Sequence, residues 1–167
     1  MKTLLIAFVF FLAFIPDGAA QSGWETWDKN YRLVYLPEVL KLEQQYADSI
    51  DRTAGKSSYY IRHDKYRFMA IFLGESRPVD PKVLGSMKNV FKLSGGEPDA
   101  LGQNVVHEYL FQVGETKFWA PMQKQLEKSF KKEVKPKKQV LLYGLFLNEH
   151  SSNGLFNTLL ISEFQAK

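Results

Sequence analysis

The run Val140–Leu147 constrains the fold more than any other stretch of this chain. Read in alternation, Leu141, Tyr143 and Leu145 fall on one side and Val140, Leu142 and Phe146 on the other. Successive strand residues point to opposite faces, so a strand that is apolar on both faces needs cover on both. The run therefore predicts a central strand with a packed layer on each side and excludes a sheet with one wet face at this position. With 167 residues the chain suits one domain. It is too short for a (β/α)₈ barrel, which takes about 250 residues. At 45% hydrophobic and 24% charged residues it has a globular composition rather than that of a disordered tail.

There is no cysteine. That excludes a disulfide framework, a thiolate metal site, a cysteine nucleophile and an iron–sulfur cluster. The core must hold the fold without covalent staples.

The N-terminus reads as an address. Met1-Lys2 precedes an uncharged apolar run, Leu4–Ile15, followed by Pro16-Asp17-Gly18 and Ala19-Ala20. This is the n-region, h-region and small-residue cleavage site of a signal peptide, with Gly18 and Ala20 at the small positions. The run is shorter than the roughly 20 residues of a membrane span; the alternative reading is a retained N-terminal anchor. Cleavage near Ala20 leaves one mature α+β domain, 21–167, with the net charge still +4 because the leader carries only Lys2 and Asp17. No later segment is apolar and uncharged enough to span a bilayer. None of Asn30, Asn89, Asn104, Asn148, Asn153 and Asn157 begins an Asn-x-Ser/Thr site. These features point to a bacterial periplasmic or secreted protein, with an envelope protein or an anionic polymer as the partner classes to consider.

The mature chain divides into a helical part, 24–95, and a sheet part, 103–165. Trp24, Trp27, Tyr31 and Val34 recur at helical spacing, and Leu40, Glu43, Ala47 and Ile50 continue it after Pro37. Helices are expected over 24–34 and 37–52, the latter stopping at Gly55. Tyr66, Phe68, Ala70 and Phe72 could alternate as a strand. Their neighbours Arg67, Met69, Ile71 and Leu73 give no polar counter-face, so 64–73 is read as a buried helix. Asp80-Pro81 starts a further helix that ends at Gly95-Gly96, and 95–102 is a linker between the two parts.

Beyond it, Val105–Val113 alternates with period 2, Gly114-Glu115 supplies a hairpin turn and 116–119 returns. Pro121 opens a helix to Glu133, Lys135–Lys138 turns, and strands follow at 140–147 and 155–164 around the loop Ser151–Gly154. The expected fold class is α+β: a helical N-terminal half, then a small antiparallel β-β-α-β-β sheet that either lies flat or curls into a partly open barrel. That order is compatible with an oligonucleotide/oligosaccharide-binding barrel, but no family is identified from the residues.

Catalytic motifs are mostly missing. Gly55-Lys56-Ser57 lacks the earlier glycine of a phosphate loop, where Ile50 stands, so no nucleotide is expected. There is no Gly-x-Ser-x-Gly elbow, His-Glu-x-x-His or calcium loop. His63, His107 and His150 each neighbour an acid, but none has ligand spacing to another. His107 shares a face with Val105 and Tyr109 and reads as a core histidine; His150 reads as part of a polar loop. Neither a metal nor another cofactor is expected. Among the carboxylates Glu75, Asp80, Glu108 and Glu163, no spacing selects a glycosidase-like pair. Glu163, read on the side of Leu159 and Ile161, is the one that partial burial would make interesting as an acid.

The strongest asymmetry is basic. Lys124 to Lys138 holds seven lysines and two glutamates. Lys124, Lys128, Lys131 and Lys135 form one helical stripe, opposite Met122, Leu126 and Phe130. That stripe could meet an anionic polymer or membrane surface, although Glu127 precedes Lys131 by one turn and no arginine is present to grip an anion in two places. Trp119 could stack on a sugar or base beside it.

The functional expectation is an exported binding or scaffold module. The alternatives are an exported hydrolase whose site assembles only in three dimensions, and a polyanion or envelope-surface binder using Trp119 and the lysine stripe. Export should remove residues 1–20 and leave Gln21 first; intact mass and N-terminal sequencing of the exported form check this, and a full-length product refutes it.

Overall fold

A computed structural model describes residues 23–54 and 59–167; the expected leader and the Gly55 stop lie outside the described residues. The elements are α1 (Trp24–Asn30), β1 (Arg32–Leu33), α2 (Leu36–Ala54), β2 (Tyr60–Pro78), α3 (Pro81–Leu93), α4 (Pro98–Asn104), β3 (Val105–Val113), β4 (Thr116–Gln123), α5 (Lys124–Glu133), β5 (Gln139–Ser151) and β6 (Gly154–Ala166). The fold class is mixed α+β. Among the described residues no helix is long and apolar enough to cross a membrane.

The largest correction to the sequence reading is β2. The segment 64–73 is not a helix but the middle of a 19-residue strand. Tyr66, Phe68, Ala70 and Phe72 do alternate inward, as a strand requires. The missing polar counter-face has a tertiary cause. Arg67 is held by Asp28 of α1 and Ile71 and Leu73 are partly covered, while Met69 remains exposed on the outer side of β2.

β2 pairs antiparallel with β5 from Tyr60↔His150 to Ile71↔Gln139, and with β3 from Ile71↔Gln112 to Pro78↔His107. The full order is β1-β2-β3-β4-β6-β5, and β5 returns to β2. Five strands thus close on themselves, with β1 added in parallel at Tyr66 and Arg67. The sheet is six-stranded and mixed, not the four-stranded antiparallel unit expected. Where β2 changes partner, between Phe72 and Ser76, its register is broken. Gly74 sits in that break at φ +91°, and a Cβ there would lie 3.0 Å from the Pro136 side chain. A bulge with a glycine re-aims the strand from one neighbour to the next.

Other boundaries also shift. The helix expected over 24–34 ends at Asn30, because residues 32–33 join β2 as β1. The linker 95–102 contains the start of α4. Pro121 does not open a helix; it lies in β4 opposite Glu108, beside a register break, and α5 begins at Lys124. A proline is tolerated in a strand at such an irregularity. Asp80 caps α3 as expected, accepting the Lys82 N–H at 2.7 Å, with Pro81 in the first turn.

β5 is covered on both sides, as its sequence demands. Inside the barrel, Val140, Leu142 and Phe146 join Phe68, Phe72, Phe111, Ile161 and Phe164. Outside, Leu145 and Leu147 pack with Met87 and Val90 of α3 and Leu101 of α4. α5 supplies Leu126 and Phe130 to the interior. The Phe130 ring lies 5.1–5.9 Å from the rings of Phe72, Tyr109, Phe111 and Phe164. Such ring pairs add to the area that each aromatic buries. Phe130→Ala should therefore destabilise the fold by about 3–5 kcal/mol. Urea denaturation checks this, and an unchanged midpoint would show that α5 is not part of the core.

Candidate functional site

The inward-facing row of the barrel changes character along its length. On β2 it runs Phe72, Ala70, Phe68, Tyr66, then Asp64, Arg62 and Tyr60. On β5 it runs Val140, Leu142 and Phe146, then Asn148 and His150. Register puts Arg62 opposite Asn148, Asn148 opposite Asn157, and Tyr60 opposite His150. The apolar half is the core. On β5 the polar half is as well buried, Asn148 and His150 being 0% and 3% exposed, while Asp64, Arg62 and Tyr60 on β2 are partly exposed.

α2 covers this polar end. Its first turns give Leu36, Val39 and Leu40 to the core. The same face then presents Glu43, Ala47 and Asp51, at spacings of four residues. Glu43 is 4% exposed, and its Oε1 accepts from Arg62 Nη1 at 2.6 Å. The Arg62 guanidinium lies 5.0 Å from the centre of the Tyr46 ring. Tyr46 meets Tyr60 edge-on, and Tyr60 stacks on the His150 imidazole at 5.0 Å and 6°. His150 Nε2 comes within 3.2 Å of Asp51 Oδ1, inside ion-pair reach but out of line for a hydrogen bond. Asn148 Nδ2 donates to Asn157 Oδ1 at 2.5 Å. On the other face of β5, Glu149 accepts from Tyr59 and Asn89.

Several polar atoms in this layer are left over. Among the described residues, the buried side-chain atoms without a hydrogen-bond partner include Glu43 Oε2, Asp51 Oδ1, Tyr60 Oη and Asn148 Oδ1. Buried polar groups are normally paired, because each unpaired one forfeits its hydration. Glu43 Oε2, Tyr60 Oη and Asn148 Oδ1 are left without a hydrogen bond, while Asp51 Oδ1 faces His150 Nε2. Burial, together with the nearby Glu43 carboxylate, pushes the Tyr60 hydroxyl up to about 12, so at neutral pH it keeps its proton. Next to this layer opens a cleft of about 320 Å³ between α2 and the β5–β6 hairpin, lined by Gln44, Ala47, Asp51, His150, Ser151 and Leu155. A second, wider concavity lies between α1, β1 and β2. Its charges are largely answered from within: Arg67 by Asp28, and Arg32 by the Tyr66 hydroxyl at 3.2 Å.

The residues singled out from sequence fall elsewhere. Lys124, Lys128, Lys131 and Lys135 are exposed on α5 and just beyond its end, while Leu126 and Phe130 are buried, so the two-stripe reading describes the helix. Lys131 reaches Glu127 at 3.5 Å. Trp119 is half-buried on β4, and the cation over its ring is not one of these lysines. Arg77 lies 4.1 Å above it, with Nε donating to the buried Glu108 at 2.6 Å. That ring face is therefore covered by the protein's own guanidinium. Trp24 and Trp27 pin α1 to the barrel by packing on Tyr143, each ring 5.7 Å away.

The three histidines have separate partners: His63 with Ser94, His107 with Glu127 at 3.0 Å, and His150 with Asp51. His150 belongs to β5 and is buried, not in the polar loop expected. Among the described residues no three His, Asp or Glu side chains are grouped to hold a metal. Glu43, Asp51, Tyr60 and Asn148 were the residues missed, Glu43 and Asn148 being the two that carried a signal. Their signal was a carboxylate inside the apolar repeat of α2 and an amide just past an apolar strand run.

Glu163 needs a correction of face. Tyr143 pairs with Glu163 but Gly144 pairs with Ile161, so Ser162 is an extra residue in β6. The bulge sends Phe164 into the core and turns Glu163 outward, away from the side of Leu159 and Ile161. Partial burial raises the Glu163 carboxyl, opposed by the Phe164 N–H, which it accepts at 3.0 Å. A raised folded value means that the ionised form costs stability once pH passes the unfolded value. Glu163→Gln should therefore raise the unfolding midpoint at pH 7, and the gain should vanish as pH falls below about 4, where both states are protonated. Thermal unfolding across that range tests it, and a loss of stability at pH 7 would contradict it.

No protein family, curated protein or solved structure matches this chain.

Proposed function

We propose that this chain is a small exported binding module that holds a small polar ligand at the polar end of its barrel, beneath α2. The observation that carries the reading is the set Glu43 Oε2, Tyr60 Oη and Asn148 Oδ1, without hydrogen-bond partners in the layer under α2, next to an open cleft lined by Asp51 and His150. Binding sites combine a mainly preformed concavity with a few convergent polar groups, and this cleft is of the size that takes a small molecule.

Binding is favoured over catalysis by how the groups are connected. A hydrolytic site runs a chain of hydrogen bonds from an orienting carboxylate through a base to a nucleophile. Here the carboxylates end in open oxygens, and Asp51 meets His150 out of line. Five closed strands with a helix between the third and fourth also resemble an oligonucleotide/oligosaccharide-binding barrel, a scaffold that carries ligands on its faces and loops. That likeness is one of topology, and the reading rests on the site. The export half of the proposal rests on Leu4–Ile15 and the Gly18-Ala19-Ala20 cleavage site.

The test is a thermal-unfolding screen of small solutes, covering sugars, amino acids, polyols, amines and carboxylates, on the native protein and on Ala47→Leu, which fills the cleft wall. A solute at a hundredfold its Kd stabilises by about 2.7 kcal/mol, a shift of several degrees. At least one solute class should produce that shift in the native protein and not in the plugged variant. No shift with any class, or equal shifts in both proteins, overturns the reading.

A further inference from the structure

The concavity between α1, β1 and β2 opens beside an edge of β2 that β5 does not cover, and what it offers is independent of the cleft beneath α2. The Phe72 N–H donates to the Lys138 carbonyl at 3.1 Å, on the β5 side of β2. The Val34 N–H donates to the Arg67 carbonyl at 3.0 Å, on the opposite side, where β1 stands. Backbone groups alternate between the two edges of a strand, so those of Ile61, His63 and Lys65 point the same way as those of Arg67, away from β5. β1 pairs only at Tyr66 and Arg67, and β3 begins at Ile71, so among the described residues no strand takes up these three. The stretch from Ile61 to Lys65 is about 17 Å long at the usual rise of a strand. Unpaired N–H and C=O groups on such an edge are a template for another chain. The concavity beside it measures about 740 Å³, and its lining includes His63, Asp64 and Lys65 of this stretch, Arg32 of β1 and Lys29 of α1. Its two carboxylates are committed: Asp28 holds Arg67 and accepts from the Tyr143 hydroxyl at 2.9 Å, and Asp64 accepts from the Tyr66 hydroxyl at 2.9 Å. Among the described residues Lys29 and Lys65 meet no carboxylate, and Arg32 meets only the hydroxyl and ring face of Tyr66. The free edge therefore carries an excess of cations.

We propose that the free edge of β2 takes up an extended acidic segment of another protein as an added strand, its backbone pairing with Ile61, His63 and Lys65 and its carboxylates meeting Lys29, Arg32 and Lys65. In such pairing the main-chain hydrogen bonds supply affinity and the side chains of the added strand supply specificity. That this edge accepts a strand is evident from β1, which already pairs along part of it. The cations decide which strand. Lysine on an edge repels a basic chain, and it repels a second copy of this one, which brings the same excess of charge; a chain of carboxylates is attracted. No single anion has to reach all three cations, because a strand presents a side chain to each face about every 7 Å. Leu33, 63% exposed on the same lining, offers an apolar contact to the residues between the acids.

The probe is the hexapeptide acetyl-Glu-Val-Glu-Val-Glu-Val-amide. Calorimetry at fixed ionic strength compares it with its lysine-for-glutamate counterpart, with its fully N-methylated counterpart, which keeps the charge and loses every main-chain N–H, and with tripolyphosphate. The acidic peptide should bind saturably, and the other three at least tenfold more weakly. Amide hydrogen exchange locates the contact: the His63 and Lys65 N–H groups should exchange fast in the free protein and at least tenfold more slowly with the acidic peptide bound. Lys29→Glu combined with Lys65→Glu should weaken that peptide at least tenfold, and both side chains are exposed, so the fold is kept. Slow exchange of both N–H groups in the free protein would mean that the edge is already covered, and overturns the proposal. Equally tight binding of the methylated peptide or of tripolyphosphate overturns it in favour of a plain anion-binding surface. Failure of the acidic peptide to bind, or binding unchanged by the double substitution, overturns it as well.

Discussion

The closure of the barrel depends on β2 being long enough to serve two neighbours. Its first two thirds lie along β5 and its last third along β3, so the pairing that starts the sheet also ends it. On the other side of the barrel β4 and β6 meet through the single parallel pair Met122↔Ile161. The cylinder is therefore held by the β2 ladders and by the side chains inside it more than by that seam. Gly74 is the hinge in this arrangement. At φ +91° and against Pro136, no residue with a side chain fits without displacement. Along its first stretch β2 keeps one edge unpaired by β5, and the short β1 pairs with part of that edge at Tyr66 and Arg67.

The ends of the barrel are treated in opposite ways. α5 brings Leu126 and Phe130 into the interior, where Phe130 meets four other rings. α2 begins in the same manner with Leu36 and Leu40, then changes to Glu43, Ala47 and Asp51 over Arg62, Asn148 and His150. A stability-optimised chain would have carried Leu or Phe through that layer. Unpaired buried oxygens cost free energy, and such local departures from good packing gather at sites kept for function.

The helix faces, the Asp80 cap and the doubly covered β5 were legible because they depend on short-range patterns. The lysine stripe and its apolar opposite were legible for the same reason, as Leu126 and Phe130 show by their burial. β2 was not. Tyr66, Phe68, Ala70 and Phe72 alternate, but Arg67, Met69, Ile71 and Leu73 look like a second buried face until α1 and the neighbouring strands are in place. Glu163 was misassigned by one face because a bulge at Ser162 shifts the alternation, and a period-2 reading has no means of seeing an inserted residue.

By itself the sequence determined the absence of thiol chemistry, an α+β class and the requirement that Val140–Leu147 be covered twice. These follow from composition and from patterns within a few residues, where geometry is fixed by the backbone repeat. Only the tertiary structure decided that the sheet closes and that α2 lies over its polar end. The candidate site joins Glu43, Asp51, Tyr60, Asn148 and His150, residues as much as 107 positions apart, and nothing local in any of them points to the others. Their meeting is a consequence of barrel closure, which brings the start of β2 beside the end of β5 and sets α2 across both.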